Sequence, residues 1–166
     1  MYRHINDFLT DWQYETEGTA KVIKGIPDDL STKIINPDVR SLALLAWHLT
    51  QTLTEMGHRA GLFASDPLAQ HPIPESMTEM AALYENYASQ VATAVNSKWT
   101  DSVLSEMVDM YGDQWSKGTV LRVLVCHQSH HRGQMTVIMR ILGLSVPGLY
   151  GPSKEEWADM GMDAPA

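Results

Sequence analysis

The stretch VLRVLVCHQSHHRGQMTVIMRIL, residues Val120–Leu142, is the most regular helical segment of the chain. Apolar or histidine side chains recur at Val120, Leu124, His127, His131, Met135, Ile138 and Leu142. This three-and-four spacing places them on one face of a helix. Arg122, Ser129, Arg132, Thr136 and Arg140 fall on the opposite row, which reads as the solvent face. Gly143 supplies the C-terminal stop, so the pattern predicts a helix over about Thr119–Leu142.

Three more helices are legible upstream. Ile5, Phe8, Leu9, Trp12, Thr16, Thr19 and Val22 keep the helical period over Ile5–Lys24, and Gly25-Ile26-Pro27 ends it. A connection over Asp28–Pro37 follows. The second helix is expected over Asp38–Leu62, with Ser41, Leu45, His48, Leu49, Thr52 and Met56 as its stripe. Asp66–Pro74 holds three prolines and reads as a loop. The third helix is expected over Ser76–Ser97, opened by the capping-box form Ser76-Met-Thr-Glu79 and faced by Met80, Leu83, Tyr84, Tyr87, Val91 and Val95. Trp99–Lys117 suits a short helical turn or an irregular strand, and Ser153–Met160 one last short helix. Four amphipathic helices without a strand rhythm predict an all-α fold, a four-helix bundle in one domain over residues 1–166. The long Pro-rich loop between the second and third helices is the expected crossover connection.

The charge balance removes one class of partner. Twelve basic residues stand against 20 acidic ones, for a formal net charge of -8, and no segment is basic enough to track a nucleic acid. With 44% hydrophobic and 19% charged residues, a packed core is expected and disorder is not. The longest apolar run, Leu42–Leu49, is too short to span a bilayer, so no membrane segment is expected. One cysteine, Cys126, and a polar start without a signal-peptide pattern point to a cytoplasmic protein. The ten methionines read as adaptable core filler, a composition that also suits the wall of an apolar pocket.

The chemistry concentrates in three histidines. His127 and His131 lie four residues apart on the apolar stripe of the last helix, and His48 interrupts the stripe of the second. Burying a polar group without a partner costs about 1–3 kcal/mol. Three such groups in one core are best explained if they satisfy one another, and a shared divalent metal does this while leaving a coordination position open. The competing explanation is a hydrogen-bonded histidine network without metal.

Other candidates are weaker. His130 falls on the semi-apolar row Val123, Cys126, His130, Gly133, Val137, which suits a helix neighbour or a subunit partner. Cys126 reads as a small buried filler. His4, His58 and His71 sit at a terminus, a helix end and a loop, and read as surface residues. Glu55, two helical turns after His48, is a candidate acid or base, with an exposed charge as the plainer reading. No phosphate loop, nucleophile elbow or Ser-His-Asp spacing is present.

The run His127-Gln-Ser-His-His-Arg-Gly-Gln-Met135, with Met139-Arg-Ile-Leu-Gly143, Val146-Pro-Gly-Leu-Tyr-Gly151 and Leu45-Ala-Trp-His48-Leu49, resembles the DinB family, whose members are read as metalloenzymes. The resemblance covers nearly the whole chain and is carried by its last third. It implies a four-helix bundle with a crossed-over connection and often a homodimer. It also implies a divalent metal, nickel or zinc, held by three histidines, which by position are His48, His127 and His131. His130, Arg132, Gly133 and Gln134 match the motif in packing, supporting or dimer roles. Characterised relatives include S-transferases and isomerases that use low-molecular-weight thiols such as bacillithiol or mycothiol. Thr52 stands four residues after His48, where some relatives carry a nearby glutamate. The implied function is a metal-dependent thiol transferase or related hydrolase acting on a small molecule. The rival expectations are a non-catalytic, stress-related metal-binding protein and a metal-free helical interaction module.

Overall fold

The computed structural model describes residues Tyr2–Ala164. Its helices are α1 (Ile5–Lys24), α2 (Asp28–Ser31), α3 (Leu42–Arg59), α4 (Met77–Lys98), α5 (Lys117–Ile141) and α6 (Lys154–Asp159). A 3-10 turn (Asp101–Ser105) and a hairpin of β1 (Met107–Met110) and β2 (Asp113–Ser116) stand between α4 and α5. The four long helices are those the periodicity predicts, with the largest shift at the start of the second. α3 begins at Leu42 instead of Asp38, because the Ser41 hydroxyl accepts from the Leu44 N–H and caps the helix there. Ser76 caps α4 in the same way, accepting from the Glu79 N–H. At the end of α5, Gly143 takes φ 78°, and the Gly143 and Leu144 N–H groups bond back to Arg140 and Met139. That pattern is a Schellman stop, for which glycine has no steric penalty.

One continuous apolar core fills the bundle. Phe8 and Trp12 of α1, Leu49 and Leu53 of α3, Tyr84 and Val91 of α4, and Leu121 and Leu124 of α5 are all buried in it. Fully burying a side chain of this size contributes about 1.5–3 kcal/mol. Trp12 also satisfies its indole N–H on the Ala88 carbonyl at 3.0 Å, which fixes α1 against α4. Met56, Met77, Met80, Met110, Met135 and Met139 are buried among these groups, as core filler should be.

The order of packing differs from the expected crossover. α1 packs on α4 and α5, and α3 packs on the same two helices, so α1 and α3 occupy diagonal corners. The bundle is crossed over, but residues 25–41 and 99–116 make the diagonal steps. The Pro-rich loop merely joins the neighbours α3 and α4. It is tied down by Asp66, whose carboxylate accepts from Thr54 Oγ1 at 2.6 Å and from the Leu68 N–H at 3.0 Å. Length alone therefore misidentifies the crossing.

The stretch Trp99–Lys117, which suits a short helical turn or an irregular strand, holds both the 3-10 turn and the hairpin. β1 pairs antiparallel with β2 through a two-residue turn in which Tyr111 and Gly112 have φ 60° and 91°. Both central residues are left-handed, as a primed hairpin turn requires. Tyrosine is a poor residue for that conformation. Here its ring lies under the Arg59 guanidinium at 4.6 Å and against the edge of Trp115. Tertiary contacts thus hold a turn that the local sequence does not announce.

Arg132 is the largest departure from the predicted solvent face. It is 1% exposed, and Glu15 of α1 is 6% exposed. The guanidinium donates to Glu15 Oε2 at 2.5 Å, to the Glu15 carbonyl at 2.7 Å, to Thr19 Oγ1 at 3.3 Å and to the Tyr150 hydroxyl at 2.6 Å. The Tyr150 hydroxyl in turn donates to the Glu15 carboxylate. The true central row of α5 therefore runs Leu121, Leu124, Gln128, Arg132, Met135 and Met139, all buried. His127 and His131 lie beside that row, half-buried. The reason is that α5 packs against two helices at once. The core arc is wide enough to hold one seam facing α1 and another facing α3, and residue type alone does not separate them.

Candidate metal centre

The α3–α5 seam brings the three predicted histidines together. His127 Nε2 lies 3.1 Å from His48 Nε2 and 3.1 Å from His131 Nε2. The candidate ligand atoms of the three residues all fall within 4.8 Å of one another. Helical periodicity accounts for the His127–His131 pair, and the diagonal packing brings His48 to it from α3. No carboxylate or thiolate joins this cluster among the described residues.

Contacts on the far side of two rings orient them. His131 Nδ1 lies 2.7 Å from Gln134 Oε1, an acceptor for a ring N–H. Thr52 Oγ1 donates to the Leu49 carbonyl at 3.0 Å and lies 3.5 Å from His127 Nδ1. A neutral ring that carries its hydrogen on Nδ1 presents Nε2 as a lone pair. Nε2 atoms gathered in this way can be satisfied by a shared cation. The spacing also suits a shared ion, since bonds of about 2.0–2.1 Å in a tetrahedral site place ligand atoms about 3.3–3.4 Å apart.

The electrostatics keep the rings neutral. Burial, then the neighbouring His131 and Arg40, lowers the His48 pKa to about 4. Burial, followed by the adjacent histidines and Arg40, also lowers His127 to about 4. Burial lowers His131 as well, against a smaller opposing effect of the Gln134 hydrogen bond. Near neutral pH no proton has to leave before a metal ion binds.

The remaining sequence candidates lie elsewhere. His130 is exposed, and its ring centre sits 4.7 Å from that of His131. Glu55 turns away to pair with Arg59 at 3.5 Å. Cys126, expected to be buried, is exposed. Its row, with His130, Gly133 and Val137, is exposed to solvent instead of covered by a helix neighbour in this chain among the described residues. His4, His58 and His71 are exposed, as expected.

An open cleft of about 860 Å³ adjoins His131. One wall comes from α5, through His130, Gln134, Val137, Ile138 and Ile141, and the other from the first diagonal connection, through Ile35, Asp38, Val39 and Arg40. Valine, isoleucine and leucine line it, and none of the methionines does. Sequence reading did not single out Arg40 or the apolar residues beside it. They precede α3 in an irregular segment, and only the crossing brings them to the histidines.

Gln134 gives the centre a direct test. Removing a partner that orients a metal-binding histidine typically lowers metal affinity by about 10–100-fold. Gln134→Ala is expected to weaken zinc binding by that factor in a competition titration against a chromophoric chelator, while Gln134→Glu, which keeps the acceptor, retains it. Unchanged affinity in the alanine variant would remove Gln134 from the centre.

Comparison with known proteins agrees with this architecture. The model of the DinB family matches residues 1–164. The uncharacterized protein YrdA of Bacillus subtilis (strain 168) is 36% identical over 165 residues, covering 99% of each chain. The crystal structure of a DinB-like protein from Bacillus cereus ATCC 10987 superposes with a TM-score of 0.83 at 36% identity, over 90% of this chain and 100% of the other. A second DinB-like protein, YjoA from Bacillus subtilis, shares the fold with a TM-score of 0.68 at 16% identity, over 82% of this chain and 92% of its own. With its histidines gathered on a crossed-over helical bundle, the chain belongs to the DinB family.

Proposed function

We propose that the protein is a divalent-metal-dependent enzyme, with His48, His127 and His131 as ligands and a small molecule as substrate. The finer reading is a thiol-dependent S-transferase or a related hydrolase, with nickel or zinc as the metal. The observation that carries it is the His127 and His131 Nε2 atoms 3.1 Å apart, joined by a third histidine and, among the described residues, by no anionic ligand.

Three neutral imidazoles leave a bound cation's charge uncompensated, so such an ion supplies acidification of a coordinated thiol or water. The chain's own contribution is orientation and shape. Gln134 and Thr52 hold the His131 and His127 rings with Nε2 inward. Val137, Ile138 and Ile141 give a substrate an apolar wall next to His131. Homodimer formation belongs to the same proposal. A cytoplasmic setting does too, and no helix among the described residues is long and apolar enough to cross a membrane.

Metal analysis of the purified protein, followed by a thiol-transfer assay with a low-molecular-weight thiol and a chromogenic electrophile, tests the reading. The expected result is about one metal ion per chain and turnover that stops on chelation and returns with metal. A chain that takes up no divalent ion would overturn it. Full metal with no turnover of any thiol or hydrolytic substrate would favour the non-catalytic binding protein instead.

A further inference from the structure

The cleft beside His131 has a chemical polarity of its own. Its body is apolar, and Val39, Val137 and Ile141 are left 39%, 60% and 62% exposed along it. Ligand sites commonly have about 300–1,000 Å³ of such lining with a few placed polar groups. The cleft, at about 860 Å³, falls in that range.

The charged groups facing it are Arg40 and Asp38 from the diagonal connection, with His130 and His131 from α5. Arg40 makes no ion pair or hydrogen bond with any described residue. Arg40 lines the same cleft as His131 and stands immediately before Ser41, the cap of the helix that carries His48, in a chain whose net charge is -8. An exposed, unpaired guanidinium presents a planar fork of donors that matches a carboxylate in two parallel hydrogen bonds.

We infer that the cleft binds small amphipathic organic carboxylates, the anionic group on Arg40 and the apolar body against Val39, Val137 and Ile141. This assigns a substrate class to the site proposed above and rests on that reading for its link to catalysis. The binding itself requires no metal. A substrate so held has its apolar body alongside His131, and its charge is selected by a residue outside the histidine set. Neutral or cationic molecules of the same length gain no such paired hydrogen bonds from Arg40, so the cleft discriminates by charge as well as by shape.

The test uses chelator-treated full-length protein, titrated with octanoate and with octylamine and followed by backbone amide NMR. Octanoate is expected to bind saturably, with shifts concentrated in residues 35–40 and 130–141, and octylamine to bind about tenfold more weakly or not at all. Arg40→Gln, a change at an exposed position, is expected to weaken octanoate about tenfold with shifts elsewhere preserved, on the scale of one charge-assisted hydrogen-bonded pair. Asp38→Asn, which removes the opposing charge, is expected to leave octanoate binding equal or tighter. Absence of saturable octanoate binding, equal binding of the amine, or less than a threefold effect of Arg40→Gln would each overturn the inference. Because this assay runs without metal, its failure leaves the metal-centre reading to its own metal analysis, and failure of metal uptake leaves this result standing.

Discussion

Replacing Arg132 with methionine is expected to destabilise the protein by about 3–5 kcal/mol, the usual result of leaving one member of a buried ion pair alone. The cost falls on Glu15. Its carboxylate is buried, and it accepts from Arg132 at 2.5 Å and from the Tyr150 hydroxyl at 2.8 Å. Without the guanidinium only the tyrosine remains to offset its desolvation. The same loss removes one of the ties on the chain after α5. Tyr150 meets Arg132 through its hydroxyl and its ring face, and the neighbouring Leu149 carbonyl accepts from Tyr14 of α1. Native domains of this kind have about 5–15 kcal/mol of stability, so the variant would lose a large share of it. Urea unfolding measures the change. The double variant Glu15→Leu with Arg132→Met is expected to recover most of it, since no charge is then left buried. A loss below about 1 kcal/mol in the single variant would mean that Glu15 finds other solvation.

His127→Ala is expected to reduce bound metal from about one ion per chain to less than a tenth, measured by elemental analysis after gel filtration. His127 is the middle member of the set, 3.1 Å from each of the other two, so its loss leaves His48 and His131 without a ligand between them. A second measurement guards against misreading a folding defect. Ligand present at 100 times its dissociation constant stabilises the native state by about 2.7 kcal/mol. The wild-type melting temperature should rise on adding nickel or zinc, and that of His127→Ala should not move. His127 is only half-buried, so the metal-free variant should melt close to the metal-free wild type. Full occupancy in the variant would dismiss the ligand assignment.

Local patterns predict the elements well and their assembly less well. α1 runs over Ile5–Lys24 as its periodicity predicts, and Ser76 and Gly143 act at α4 and α5 as their types require. The hairpin is hidden because Tyr111 takes a turn position where asparagine or glycine would normally advertise it. Arg132 and Glu15 are hidden for a related reason. A charged residue reads as solvent-facing until its partner is known, and that partner lies 117 residues away. Cys126 shows the opposite error, a small apolar type placed on an outward face.

The three histidines divide the problem most clearly. The helical repeat, which depends only on local backbone geometry, determines that His127 and His131 share a face, and amphipathic patterning determines the four helices that carry the site. Whether His48 reaches that pair depends on which helices adjoin. The diagonal steps over residues 25–41 and 99–116 decide this, since they set α3 beside α5 and across from α1. The same crossing carries Ile35, Val39 and Arg40 to the side of His131 and so makes the cleft. Local chemistry supplied the candidate ligands, while long-range packing decided their meeting and what can approach them.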